Sequence, residues 1–206
     1  ELTYTPNLNW NGTETFTYRA TDDNSVWSNE STITITVNPV NDIPEVYDAS
    51  FEMDEDSFSK YSLPNATDIE NGGEEWFHES LTLVSNVSNG KIFKNSGCWG
   101  DEQVAGNELS VGDKINNTCD GGPARIWYQP KENWHGDDIF TYRANDGEAD
   151  SNIATVTFTV NPTNDPPTAE DVYVITRENV AIDFTGNGTD IDPGATLTYT
   201  ITSQPT

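Results

Sequence analysis

Two strings of oxygen-bearing side chains recur in this chain. Asn41-Asp42-Ile43-Pro44 returns as Asn164-Asp165-Pro166-Pro167, and Thr67-Asp68-Ile69-Glu70 returns as Thr189-Asp190-Ile191-Asp192. Carboxylates and side-chain amides spaced this closely suit a hard divalent cation such as calcium, which takes roughly 6 to 8 oxygens from side chains, backbone and water. The overall charge points the same way: 9 Lys+Arg against 35 Asp+Glu give a net charge of -26, whose self-repulsion opposes compaction unless a counter-ion is held. That charge also repels nucleic-acid phosphates and an anionic membrane surface, which removes both as partners. Any single Asp or Asn can instead serve as a turn cap through its own side chain. The recurrence of the whole set is what favours a cation.

Catalytic chemistry finds no comparable support. His78 and His135 are the only histidines, and no serine stands in a nucleophile-elbow pattern. The adjacent acids Asp137-Asp138 and Glu74-Glu75 point to opposite faces of an extended backbone. A glycosidase pair is defined by its spacing in space, but a small fold with its acids in loops argues against one. The chain reads as a non-enzyme.

The elements that must carry these loops are strands. Phe140-Thr141-Tyr142-Arg143-Ala144 and Ala154-Thr155-Val156-Thr157-Phe158-Thr159-Val160 alternate apolar with polar, are rich in β-branched and aromatic residues, and end in Asn, Asp, Gly and Pro clusters. Further strands are expected near 45–53, 57–63, 81–87, 91–94 and 125–128, about seven short strands in all. Six Trp, 8 Tyr and 8 Phe among 206 residues separate the chain from disordered acidic sequences, which are poor in aromatics. The apolar stretches, such as Thr32-Ile33-Thr34-Ile35-Thr36-Val37, are far shorter than the roughly 20 residues of a membrane helix, so no membrane insertion is expected. The opening Glu1-Leu2-Thr3-Tyr4 carries no secretory signal pattern.

The strands belong to a repeat. Tyr4-Thr5-Pro6-Asn7-Leu8-Asn9-Trp10-Asn11-Gly12 returns as Tyr128-Gln129-Pro130-Lys131-Glu132-Asn133-Trp134-His135-Gly136, and Val37-Asn38-Pro39 as Val160-Asn161-Pro162. The period of about 123 residues is the length of one small domain. In this register residues 1–42 are the C-terminal half of a unit, 43–165 a complete unit, and 166–206 the N-terminal half of the next.

The strings Tyr-x-Pro-x-x-Asn-Trp-x-Gly-x-(Asp/Glu)-x-Phe-Thr-Tyr, Asn145-Asp146-Gly147 and Val-Asn-Pro-x-Asn-Asp-x-Pro resemble the cadherin-like and Ig-like tandem repeats of giant secreted adhesins and related surface proteins. The resemblance implies an all-β chain of tandem antiparallel β-sandwich modules with calcium at the module junctions. Tracing such a sandwich puts Glu14, Asn41 and Asp42 opposite Asp68, Glu70 and Asp146 at the first junction. At the second it puts Glu55, Asp138, Asn164 and Asp165 opposite Asp190 and Asp192. The partners expected are then neighbouring modules of the same chain, other copies in a filament, and glycans or a surface ligand. The setting expected is extracellular.

The sequence departs from the repeat at 71–80 and in an insert at about 94–125. The insert carries Cys98 and Cys119, the only cysteines; in a secreted chain an even pair suggests a disulfide closing a loop of about 20 residues, against the alternative of two free thiols. Glycosylation sequons stand at Asn11, Asn29, Asn65, Asn86, Asn116 and Asn187; they carry glycans in a eukaryotic surface protein and mean little in a bacterial one. Trp10 and Trp134 hold one repeat position and are read as packing residues closing the sandwich end. Trp76 and Trp99 fall in loops, where exposed aromatics could stack on sugars or contact a protein. The function these readings give is a calcium-rigidified structural repeat for extension and adhesion. A subunit of an extracellular filament and a carbohydrate-binding module are the alternatives.

Overall fold

In the computed structural model, residues 2–69, 81–95, 108–115 and 123–203 are described. In chain order the strands are β1 (Gly12–Tyr18), β2 (Ser31–Val37), β3 (Ala49–Asp54), β4 (Ser59–Ser62), β5 (Leu81–Ser85), β6 (Gly90–Lys94), β7 (Lys114–Ile115), β8 (Arg125–Pro130), β9 (Gly136–Arg143), β10 (Ala154–Asn161), β11 (Thr168–Glu170) and β12 (Asn187–Thr189). No helix occurs among the described residues, so none is long and apolar enough to cross a membrane.

β3 to β10 form a sandwich of a five-stranded sheet, β3-β10-β9-β5-β7, on a three-stranded sheet, β4-β8-β6. The period-2 pattern decides which side chains enter between them. In β10, Ala154, Val156, Phe158 and Val160 are buried while the intervening threonines are half-buried. Tyr128 from β8 lies flat on Phe158 from β10, ring centres 4.0 Å apart and 2° from parallel, which ties the two sheets together at their centre. Phe51, Tyr61 and Phe140 complete the ring cluster around Phe158. The Tyr142 hydroxyl donates to the Tyr47 carbonyl at 2.7 Å, which satisfies the polar end of a fully buried ring. The buried apolar core runs from Val46 to Val160.

The structure departs from the antiparallel expectation at one edge, where β10 pairs with β3 in parallel, Val156 opposite Ala49 through Asn161 opposite Asp54. This pairing matters for the site. It sets the turn after β3 beside the linker after β10, and the Glu55 amide continues the ladder onto the Asn161 carbonyl at 2.9 Å. A second departure is β7, an eighth strand contributed by the insert. It pairs with β5, and the insert also places Leu109 and Ile115 in the core.

The repeat read from sequence is a repeat in space. The β1–β2 hairpin sets Phe16 opposite Ile33, as β9–β10 sets Phe140 opposite Val156. The bridge of Glu45 with Thr67 returns as Thr168 opposite Thr189 in β11–β12. The Asn-Trp-x-Gly string builds the same turn twice: Asn9 and Asn133 have φ of 57° and 53°, Gly12 and Gly136 of 141° and 131°. A Cβ on either glycine would meet the indole two residues before it, at 3.2 Å from Trp10 or 3.3 Å from Trp134, so the tryptophan closes over a position that glycine leaves open. Trp134 packs against the core as the sequence suggested.

Candidate metal centre

Three chain segments bring carboxylates together at the second junction. Glu55 comes from the turn after β3, Asp165 from the linker after β10, and Asp192 from the loop after β12; one oxygen of each lies within 4.8 Å of the others. Glu55 is 5% exposed. Its Oε1 accepts the Thr163 amide at 2.8 Å, and its Oε2 faces His135 Nδ1 at 3.6 Å. Asp192 Oδ2 accepts the Asp165 amide at 2.8 Å, and Asp190 Oδ1 accepts the Asp192 amide at 2.9 Å. Asp56, in left-handed backbone at φ 57°, accepts the Asn133 amide at 2.8 Å.

The remaining oxygen of Asp165, Oδ2, is buried without a hydrogen-bond partner. Burial, then the carboxylates of Asp56, Asp192, Glu55 and Asp190, push the Asp165 carboxyl above its ordinary value. A carboxylate oxygen withdrawn from water normally finds a donor or a cation. The donor set, all oxygen, hard and strongly negative, fits calcium rather than a soft or nitrogen-seeking metal.

The first junction shows another part of the same arrangement. Asn41 Nδ2 donates to Asp146 Oδ2 at 2.9 Å across the junction. Asp146 Oδ1 accepts the Glu148 and Ala149 amides, both at 2.6 Å. The Ala149 amide first, then the Asn41 side chain and the Glu148 amide, hold the Asp146 carboxyl below its ordinary value. Asp68 is buried at 4% exposure. The two linkers adopt one local form, Asn41 Nδ2 donating to the Asp42 carbonyl and Asn164 Nδ2 to the Asp165 carbonyl, each at 3.0 Å. The structure thus shows the β3-turn, linker and β12-loop side of the site at the second junction, and the linker and β9–β10-loop side at the first.

The sequence matches the bacterial Ig domain family over residues 1–38 and 41–159. The chain belongs to that family. Integrin beta-like protein B of Dictyostelium discoideum is 29% identical over 206 residues, covering 92% of this chain and 10% of that protein. The chain therefore spans about a tenth of the length of the curated relative it matches.

Within this bacterial Ig domain chain, two residues expected at the cation sites accept hydrogen bonds inside their own unit. Asp138 is 3% exposed and its carboxylate accepts four donors: the Ser88 and Asn89 amides and the Tyr128 hydroxyl, at 2.8, 2.8 and 2.9 Å, and the Ile139 amide at 3.1 Å. It anchors the turn between β5 and β6. Glu14 accepts the Tyr4 hydroxyl at 2.9 Å, the counterpart of the Tyr128–Asp138 bond in the same repeat position. Asp138 thus serves the inside of its own unit, while Glu14 remains exposed. The sequence holds a signal for this, a Tyr ten residues before an acid in both copies.

Glu70, Cys98, Cys119, Trp76, Trp99 and Asn116 lie outside the described residues. Of the remaining sequons, Asn11, Asn29 and Asn187 are exposed, and Asn65 and Asn86 are half-buried. Asn86 is structurally committed, its Nδ2 donating to the Leu109 carbonyl at 2.9 Å. Asn187 Nδ2 donates to Glu170 Oε2 across β11–β12.

Proposed function

We propose that this chain is a structural repeat of a long extracellular adhesin or surface protein, in which calcium joins successive Ig-like units so that the array extends as a stiff rod. The observation that carries this reading is Asp165, whose buried Oδ2 has no donor to satisfy it and which has carboxylate oxygens of Glu55 and Asp192 within 4.8 Å. A bound calcium ion supplies two positive charges and room for roughly 6 to 8 oxygens, and extracellular modules of this kind hold it with dissociation constants of about 10⁻⁴ to 10⁻³ M. At the second junction Glu55, Asp165, Asp190 and Asp192 would hold it, with Asn164 shaping the linker. At the first, Asn41, Asp42, Asp68 and Asp146 would do so.

The residues do the positioning themselves. The parallel β3–β10 pair fixes Glu55 beside the linker. The Asp165 amide draws in Asp192 from the following unit, so neutralising the cluster also fixes the two units relative to each other. Like charges so close favour separation when no cation is present. At a free calcium concentration of about a hundred times the dissociation constant, the bound state would be favoured by about 2.7 kcal/mol.

An Asp190→Ala, Asp192→Ala double variant tests the reading by titration calorimetry. It is expected to bind fewer calcium ions per chain than the parent, with the core melting unchanged. An unaltered stoichiometry would remove these residues from the site. The family matched is an Ig-like one, and the proposed role is mechanical rather than catalytic.

A further inference from the structure

We propose that the linker after β10 is a self-cleavage site, at which the Asp165 side chain cuts the chain between Asp165 and Pro166. The groups such a cut needs meet at this one bond. The nucleophile is the Asp165 carboxylate, whose Oδ2 has no hydrogen-bond partner among the described residues. Its target is the main-chain carbonyl carbon of the same residue, and attack there closes an unstrained succinic-anhydride ring, with the reactants held together by the residue itself. That carbonyl is already polarised: Asn164 Nδ2 donates to the Asp165 carbonyl oxygen at 3.0 Å, where the charge of a tetrahedral intermediate collects. The leaving group is the Pro166 nitrogen, part of a tertiary amide with no N–H. It departs as a secondary amine, more basic than the primary amine any other residue would give, and Pro166 is exposed to the solvent that protonates it.

The surroundings favour the attack as well. Carboxylate oxygens of Glu55 and Asp192 lie within 4.8 Å of one on Asp165. Closing the ring carries negative charge out of that cluster and onto the oxygen that faces Asn164, which relieves repulsion between like charges. In the step itself Asp165 Oδ2 bonds to the Asp165 carbonyl carbon, the bond from that carbon to the Pro166 nitrogen breaks, and the nitrogen takes a proton from solvent. A water molecule then opens the anhydride and leaves two carboxyl groups on Asp165. The sum is hydrolysis of one peptide bond, and water is the only reactant consumed.

Two other bonds carry part of this set and serve as internal references. Asp42–Ile43 has the same polarised carbonyl, with Asn41 Nδ2 donating to it at 3.0 Å, but its nitrogen belongs to a secondary amide. Asp192–Pro193 has the proline, but Asp192 Oδ2 accepts the Asp165 amide at 2.8 Å, and its carbonyl has the longer 3.3 Å bond from the Ala195 amide. Asn41 keeps its bond to the Asp42 carbonyl while also donating to Asp146 across the first junction. A loop of a following unit seated on the second linker would therefore leave the Asn164 donor in place. A cut here separates successive units at their boundary, and the bond from the Asp165 amide to Asp192 spans it.

The test is intact-mass spectrometry under denaturing conditions, on the full chain held folded in mildly acidic buffer with chelator and on the same chain in urea. The folded chain is expected to give residues 1–165 and 166–206, with masses that sum to the parent's plus one water. Asp165–Pro166 should be cut about tenfold faster than Asp192–Pro193, and about tenfold faster than the same bond in urea. Pro166→Ala and Asp165→Ala should each abolish the cut, and Asn164→Ala should slow it by about tenfold. The rate should not change with protein concentration. A folded parent that stays intact overturns the proposal, as does one that cuts both Asp–Pro bonds no faster than in urea, or a cut that survives Asp165→Ala. Calcium is expected to slow the reaction by holding the Asp165 carboxylate, an expectation that rests on the calcium reading. Equal rates in calcium and in chelator would retain the cleavage site while removing the cation from this junction.

Discussion

Replacing Asp138 separates the two roles an acid can have in this fold. In Asp138→Ala the Ser88 and Asn89 amides and the Tyr128 hydroxyl lose their acceptor inside the sandwich. At about 1 to 3 kcal/mol for each buried donor left unsatisfied, tempered by relaxation of the β5–β6 turn, the loss comes to about 4 kcal/mol. Tyr128→Phe removes one donor and leaves the carboxylate three others, so it should cost about 1 kcal/mol. Urea unfolding followed by tryptophan fluorescence reads both. With a slope of about 2 kcal/mol/M the Asp138→Ala midpoint falls by about 2 M and that of Tyr128→Phe by about 0.5 M. Calcium stoichiometry should match the parent in Tyr128→Phe, and in Asp138→Ala wherever it remains folded. An Asp138→Ala protein as stable as the parent but binding less calcium would refute this reasoning and return Asp138 to the cation site.

The two junctions should respond to pH with opposite signs in chelator. The Asp165 carboxyl lies above its ordinary 3.8, so its contribution is complete below 3.8 and is lost as pH rises through the raised value; Asp146 lies below 3.8, so its contribution is present above 3.8 and is lost as pH falls through the lowered value. Carboxyl NMR titrations should place the two midpoints on opposite sides of the unfolded chain's, and coincident midpoints would contradict the assignment. Gly90→Ala should destabilise the sandwich by about 3 kcal/mol or more, since its Cβ would meet the Tyr128 ring at 2.4 Å and the Gln129 carbonyl at 2.6 Å; a wild-type melting temperature would show that β6 and β8 are spaced differently. Expressed in a glycosylating host, Asn11 and Asn29 are expected to carry glycans and Asn86 to stay bare because of its bond to Leu109, which peptide mass spectrometry checks directly.

The sandwich was legible because its signal is local and repeated. Threonines alternating with valine, isoleucine and phenylalanine mark β2 and β10 whatever they pair with, and the doubled Asn-Trp-x-Gly turn fixed the register of the repeat. β7 was not legible. Two residues in a polar stretch carry no periodicity, and Ile115 is a core residue because β5 lies beside it rather than because of its neighbours in sequence. The acids divide in the same way. Glu55, Asp165 and Asp192 could be grouped because they flank elements whose order the repeat supplies. Asp138 looked equivalent to them on paper, but its function is set by two amides some fifty residues away, and main-chain donors leave no trace in composition. The parallel seating of β3 on β10, which aims Glu55 at the linker, is likewise a pairing of strands about a hundred residues apart.

The central claim is that the acids at the junctions hold calcium and thereby fix one unit on the next. Calcium titration calorimetry on the chain, paired with small-angle scattering of the same sample in calcium and in chelator, addresses it most directly. The account predicts saturable binding at the junctions, with the maximum dimension larger and the profile more rod-like in calcium than in chelator. Absence of saturable binding, together with one scattering profile in both conditions, would contradict it and leave Glu55, Asp165 and Asp192 as a solvated acidic turn.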